Sequence, residues 1–333
     1  MNITASIDEY INDYDNFIYC KGEANKFHIQ ATKIWQNYDL STVLYYKSTK
    51  KTAKVKNNRV FLLVSSIFNS PEILFVSKKQ NFIDNLLQYG DVYLVKWNNP
   101  EKQYKINDYV LSLSTIINKL KTQNVTKKID LVGHCIGGNL AVAITILKQQ
   151  YIRSLTMLTS PWDYSHFLLA IKLYKMFGFY DLIKETELVP KIYIQIMFFL
   201  MFPNQFQQKI VNYETRTKFE KENYLLVEKW LQSGTNLAKA TYDEIITNLV
   251  EHNMLLNNEW YINDKQIDPS KISVPVCIIT SKKDKIAPKN SILPLHKSLK
   301  NSTLIEIAGG HISYLLKDNQ NFNNNYKKWL TTI

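Results

Sequence analysis

The chain has 333 residues, of which 45% are hydrophobic and 13% aromatic; that is enough to build a substantial core in one large domain with an insertion or in two small ones, and only 9 Gly and 9 Pro exclude a fibrous or disordered protein. The net charge of +12 comes from lysines scattered through every segment, with no helix-turn-helix, zinc spacing or RNP pattern, so nucleic acid is not an expected partner. Cys20, Cys135 and Cys277 form an odd, sparse set without paired spacing, which fits a reduced, cytoplasmic setting with a catalytic cysteine better than a disulfide framework or zinc site.

Residues 1 to about 40 read as an amphipathic helical arm, with Ile7, Tyr10, Ile11 and Phe17 and then Phe27, Ala31, Ile34 and Trp35 at spacings near three and four. The polar, acidic start (Ser6, Asp8, Glu9) lacks an h-region, so no signal peptide is expected. Thr42 to Lys47 is predicted as an edge strand and Lys47 to Asn58 as a charged hairpin-like connection. Val60-Phe61-Leu62-Leu63-Val64 is a continuous apolar run of the kind a buried parallel strand shows, and it empties into the polar turn Ser65 to Pro71. A helix over Lys78–Tyr89, a strand over Asp91–Trp97 and a long amphipathic helix over Tyr104–Lys121 follow.

Next comes Lys128-Ile129-Asp130-Leu131-Val132-Gly133-His134-Cys135-Ile136-Gly137-Gly138-Asn139, an apolar run, a glycine-flanked Cys and a small-residue run at helical spacing. Gly133-His134-Cys135-Ile136-Gly137 fits G-x-nucleophile-x-G, the strand-to-helix elbow of α/β-hydrolase folds, with cysteine where most members carry serine. The bland alternative is a Gly-rich turn holding an inert core cysteine. On the elbow reading the neighbours of the nucleophile must be nearly side-chain-free, and the helix N-terminus favours thiolate and stabilises an oxyanion. After a further strand (Ser154–Thr159) the alternation is lost. Residues 162–270 are aromatic and helical in character, with Phe167, Tyr174, Phe177, Phe179, Tyr180, Phe198, Phe199, Phe202, Phe206 and Trp230. They are predicted to form a cap over the site. The apolar stretch Ile192 to Phe202 within them is 11 residues long, too short to span a bilayer. The strand Val274–Thr280, a helix over Ser291–Leu299, the strand Thr303–Ala308 and a closing helix near Asn319–Leu330 complete the scaffold. The fold class expected is therefore α/β: a mostly parallel sheet with helices on both faces, made of residues 41–161 and 271–333, plus the 1–40 arm and the 162–270 cap.

Cys135, Asp284 and His311 occur in the order nucleophile, acid, histidine that α/β-hydrolases use, each directly after a predicted strand. His311 would take the thiol proton while Asp284 fixes its tautomer and stabilises its charged form. Asp163 is a rival acid. One oxyanion-hole N–H would come from Ile136, the other from Ile67 or Phe68 in the loop after the first buried strand. His134 should point away from the pocket, and His28, His166, His252 and His296 have no supporting pattern. There is no metal cluster and no Walker or dinucleotide glycine pattern.

With these residues in hand the chain resembles the polyhydroxyalkanoate synthases, bacterial polyester polymerases, and in particular the short type that works with a second subunit. The likeness runs over about residues 40–320. It rests on Leu63-Val64 through Phe68-Asn69-Ser70-Pro71, Val92 through Trp97-Asn98-Asn99-Pro100, Gly133 to Asn139, Thr159 to Tyr164, Asn253 to Val274, Asp284-Lys285-Ile286-Ala287-Pro288 and Gly309-Gly310-His311-Ile312. The resemblance implies an (R)-3-hydroxyacyl-CoA substrate, commonly 3-hydroxybutyryl-CoA, and polyester plus free CoA as products. Cys135 would carry the growing chain as a thioester, His311 would activate it, and Asp284 would support His311 or help deprotonate the incoming 3-hydroxyl. It further implies no cofactor beyond the CoA of the substrate, a homodimer, a possible second synthase subunit and association with polyester granules. The family has His after the catalytic Asp; this chain has Lys285. The alternatives are a thioesterase on the same scaffold and a non-catalytic granule-coating homologue.

Overall fold

A computed structural model describes residues 31–48, 59–75, 82–123, 128–201, 217–316 and 320–333. Strands β1 (Lys33–Asn37), β2 (Ser41–Tyr46), β3 (Arg59–Val64), β4 (Gly90–Trp97), β5 (Ile129–His134), β6 (Ile152–Leu158), β7 (Val276–Ser281) and β8 (Ser302–Ile307) form one sheet in the order β1-β2-β4-β3-β5-β6-β7-β8. β2 runs antiparallel to both β1 and β4, and the remaining neighbours are parallel. Every residue of β3, β5 and β7 is buried, which is why they read as predominantly apolar runs: helices cover both faces of a parallel sheet.

On one face lie α2 (Ile106–Thr122) and α3 (Ile136–Lys148). In α2, Ile106, Tyr109, Val110, Leu113, Ile116, Ile117 and Leu120 are buried at helical spacing, and they join a core with Leu62, Leu131, Leu140 and Val142. On the other face α1 (Phe82–Leu87) and α8 (Gln320–Thr332) pack Phe82, Ile83, Phe322, Tyr326 and Trp329 against Phe61, Leu63 and Cys277. The connection from β6 to β7 carries α4 (Leu168–Met176), α5 (Lys191–Met201) and α6 (Lys218–Gln232), and α7 (Lys289–Ser298) joins β7 to β8. Among the described residues no helix is long and apolar enough to cross a membrane.

Two sequence expectations are corrected. Ile34 and Trp35 lie on a strand rather than in a helix: β1 pairs with β2, Trp35 packs edge-on against Tyr93 at 5.3 Å, and its indole donates to Gln123 Oε1 at 3.0 Å. Tertiary pairing overrides the helical spacing there. In consequence β2 is not an edge strand, because β1 covers its outer side. Residues 1–30, most of the 47–58 connection, and Phe202 and Phe206 lie outside the described residues.

Candidate active site

Three strand ends bring the site together. Cys135 follows β5, Asp284 follows β7 and His311 follows β8, all at the carboxyl edge of the sheet, where ligands of open α/β sheets bind. Cys135 sits at φ 55°, ψ −132°, a backbone region costly for any residue with a side chain. Hydrogen bonds on both sides hold it there: Cys135 N donates to Leu158 O at 3.0 Å and Gly138 N to Cys135 O at 2.9 Å. The tight bend explains the glycines. A Cβ on Gly137 would stand 2.4 Å from Ser65 O and 2.5 Å from Val64 O, both backbone atoms, and one on Gly133 would stand 2.4 Å from Gly138 Cα. Gly137→Ala is therefore expected to destabilise the protein by about 1–3 kcal/mol, the usual cost of forcing a group into filled space. A fall in the urea midpoint at unchanged slope would register it.

Cys135 is the N-cap of α3 and is 9% exposed. The first turn of α3, Ile136 onward, therefore presents the positive end of the helix dipole at Cys135. Opposite, His311 Nδ1–H donates to Asp284 Oδ2 at 2.8 Å. The other carboxylate oxygen of Asp284 accepts from Ile286 N at 2.9 Å and Ala287 N at 2.8 Å, so the acid is rigidly aimed. Burial alone would lower the His311 pKa, but the charge and hydrogen bond of Asp284, and then the neighbouring Cys135, push it up to about 10. The structure thus brings Cys135, Asp284 and His311 into one cluster. Asp163 is engaged elsewhere, accepting from Ser165 N at 2.9 Å and Asn253 Nδ2 at 2.7 Å.

Of the two loop residues considered for the oxyanion hole, Phe68 has its N–H turned to Ser66 Oγ at 3.2 Å. The loop itself is braced from two sides. The Trp97 indole donates to Ser65 O at 3.0 Å, and from the far connection Trp230 Nε1 donates to Ser70 O at 2.7 Å and Thr235 Oγ1 to Ile67 O at 3.3 Å. These braces escape a sequence reading, although Trp97 lies in one of the segments that carried the resemblance.

A cavity of about 20 Å³ adjoins Cys135, roughly the room needed for a single water. Its walls are almost wholly apolar: Phe68, Ile136 and Pro161 from the scaffold, Tyr164, Phe167, Met197, Phe198, Ile245 and Val250 from the connection, and Ile286 beyond it. The Phe198 ring stands over the site against Phe68 at 5.8 Å and Phe167 at 6.3 Å. Tyr164 turns its hydroxyl aside, donating to Asn139 Oδ1 at 2.6 Å. His134 does not line the cavity, but its ring lies 5.7 Å from that of His311, a contact the sequence does not disclose. Burial and the nearby His311 drive its pKa down to about 3, so it is neutral.

Comparison with known proteins agrees with this layout. The chain is 25% identical over 283 residues to the poly(3-hydroxyalkanoate) polymerase subunit PhaC of Haloferax mediterranei, covering 81% of this chain and 57% of that one. To the PhaC subunit of Allochromatium vinosum it is 23% identical, covering 81% and 79% respectively. The chain therefore spans little more than half the length of the first relative. Among solved structures, a lipase-esterase related protein of Clostridium acetobutylicum superposes with a TM-score of 0.54 at 15% identity, over 86% of this chain and 98% of that one. A monoacylglycerol lipase of Paleococcus ferrophilus does so with 0.53 at 13%, over 88% and 98%. These structures share the fold. A family model described as the alpha/beta hydrolase fold matches residues 96–318; the match takes in Cys135, Asp284 and His311 alike, and the chain belongs to that family.

Proposed function

We propose that the chain is a polyhydroxyalkanoate synthase that polymerises (R)-3-hydroxyacyl-CoA, 3-hydroxybutyryl-CoA being the substrate to try first, through a thioester on Cys135. The observation that carries the reading is a cysteine elbow beside an Asp–His pair at a small apolar cavity, in a chain similar to PhaC subunits. In the first step the Cys135 thiolate attacks the thioester carbonyl, the N–H groups of Ile136 and the loop residue Ile67 receive the oxyanion, and CoA leaves with a proton from His311. In the second, His311 takes the proton of a hydroxyl that attacks the Cys135 thioester, so an ester forms and the thiol is restored. Exchange between thioesters is nearly isoenergetic, and the acyl group stays activated for the hydroxyl. The apolar walls, which offer a water few polar partners, support this transfer over hydrolysis. In this reading no cofactor takes part, CoA enters as substrate and leaves as product, and the chain acts at a polyester surface as a homodimer or with a second subunit.

The helical connection 162–270 then serves as the cap. Met197 and Phe198 of α5 line the cavity, whose volume of about 20 Å³ is far too small for an acyl chain, so substrate entry is expected to displace α5. Phe198→Ala should accelerate alkylation of Cys135 by a bulky maleimide by about tenfold if closure is the barrier, and hardly change the rate with iodoacetamide. The reaction itself is tested by following CoA release from 3-hydroxybutyryl-CoA while recovering and weighing polymer. Polymer in proportion to CoA supports the proposal. Stoichiometric free 3-hydroxy acid would replace it with a thioesterase, and granule binding without turnover would replace it with a coat protein.

A further inference from the structure

His311 hangs on a loop between β8 and the short helix Ser313–Leu316, and that loop is fastened by its carbonyl oxygens. Three successive ones, from Gly309, Gly310 and His311, meet hydroxyls from the ends of two different strands. The Ser281 hydroxyl at the end of β7 is shared between Gly309 O and Gly310 O, the latter at 3.1 Å. Lys283 N adds a bond to Gly309 O at 2.8 Å. Just beyond β6, Thr159 Oγ1 donates to His311 O at 3.2 Å and lies 3.3 Å from the Tyr314 hydroxyl, from which it can accept.

Thr159 makes this bond at a cost. It is fully buried and sits at φ 45°, a region that a β-branched residue almost never adopts. Its backbone is held there by the bond from Thr159 N to Ile279 O at 3.0 Å. Such strain survives where the surroundings over-determine it, and it gathers at active sites. Packing gives no reason for a threonine, since valine has nearly the same shape without a polar group to satisfy in the core. The hydroxyl is what distinguishes it, and that hydroxyl is spent on the backbone of His311.

We propose that Thr159, assisted by Ser281, is a positioning residue that holds His311 in register with the Cys135 sulfur. Asp284 fixes the imidazole from its Nδ1 side, whereas Thr159 and Ser281 fix the backbone from which the ring projects. Neither Thr159 nor Ser281 lines the cavity at Cys135. The inference rests on the reading of His311 as the base for Cys135.

The test uses the full chain and two readouts: the pH profile of Cys135 alkylation by iodoacetamide, which needs no acyl-CoA, and kcat and KM for CoA release from 3-hydroxybutyryl-CoA. Thr159→Val should slow alkylation at neutral pH and lower kcat by about 10- to 100-fold, as sub-ångström to ångström misplacement of a catalytic group does, with KM near the parent's and only the modest fall in melting temperature that two lost buried hydrogen bonds bring. Thr159→Ser, which returns the hydroxyl, should restore both rates. Ser281→Ala should slow both as Thr159→Val does, and it carries the test alone should the valine variant not fold. Parental alkylation and kcat in Thr159→Val, or a Thr159→Ser variant as slow as the valine one, would overturn the proposal. Slowed alkylation in a chain that never releases CoA would support it and count against the polymerase reading alone.

Discussion

Cys135→Ala is expected to reduce CoA release from 3-hydroxybutyryl-CoA by at least about a thousandfold, because removing a nucleophile leaves only the rate supplied by binding and the oxyanion donors. The fold should survive the change. The side chain is small, the bond from Cys135 N to Leu158 O and the close approach of Gly137 to Ser65 O belong to the backbone, and alanine meets the same backbone strain as cysteine. The melting temperature should therefore stay near the parent's, which separates lost chemistry from lost structure. Cys135→Ser gives a sharper distinction. Acyl transfer from CoA to serine runs downhill to an ordinary ester, which a second hydroxyl attacks poorly, so the variant should acylate and stall. CoA would then appear as one equivalent with little polymer. If Cys135→Ala releases CoA at the parental rate, the nucleophile lies elsewhere and both enzymatic readings fall.

Much of the scaffold was readable because it is physically redundant. β3, β5 and β7 are buried on both faces, so their central residues are apolar on both sides of the sheet, and the polar exceptions sit near the strand ends or are paired, as Arg59 is with Asp130. The elbow was readable for a different reason: the close approach of Gly137 to the Ser65 backbone leaves no tolerance in residue type. β1 departs from the helical spacing of its residues, since Lys33 to Asn37 becomes a strand only through its bonds to β2 and the packing of Trp35 on Tyr93, neither of which leaves a local trace. The same holds for the finer parts of the site. That the Phe68 N–H is taken by Ser66, that His134 lies beside His311 and that the Thr159 hydroxyl reaches the His311 carbonyl are facts about distant segments meeting. Hydrophobic pattern and chain order specify the sheet and the sequence of functional groups along its edge; they do not specify which hydrogen bonds hold those groups still.

The second large effect is expected from Asp284→Asn. The amide can keep the acid's Oδ1 role toward Ile286 N and Ala287 N, but it turns an N–H₂ donor toward His311 Nδ1, where the parent has an acceptor. The neutral ring must then carry its proton on Nε2 and can no longer receive one from Cys135. Loss of this orientation is expected to slow alkylation of Cys135 and CoA release by about 10²- to 10⁴-fold. The titration of His311 should move as well. Burial opposes the imidazolium and Asp284 overcomes it, giving about 10 in the parent; without the carboxylate, burial is left dominant and the group should titrate below its ordinary value of about 6.5. A folded-state pKa raised above the unfolded one contributes stability that is complete below about pH 6.5 and disappears as pH rises through about 10. The parent should therefore lose this contribution over that window, and Asp284→Asn should show no such loss. An NMR titration of the His311 ring and urea midpoints across pH 6–10 would report both effects. Asp163→Asn is the control: its carboxylate serves Ser165 and Asn253, so the His311 titration should keep its place. A parental rate in Asp284→Asn with a shifted His311 in Asp163→Asn would transfer the acid's role to Asp163.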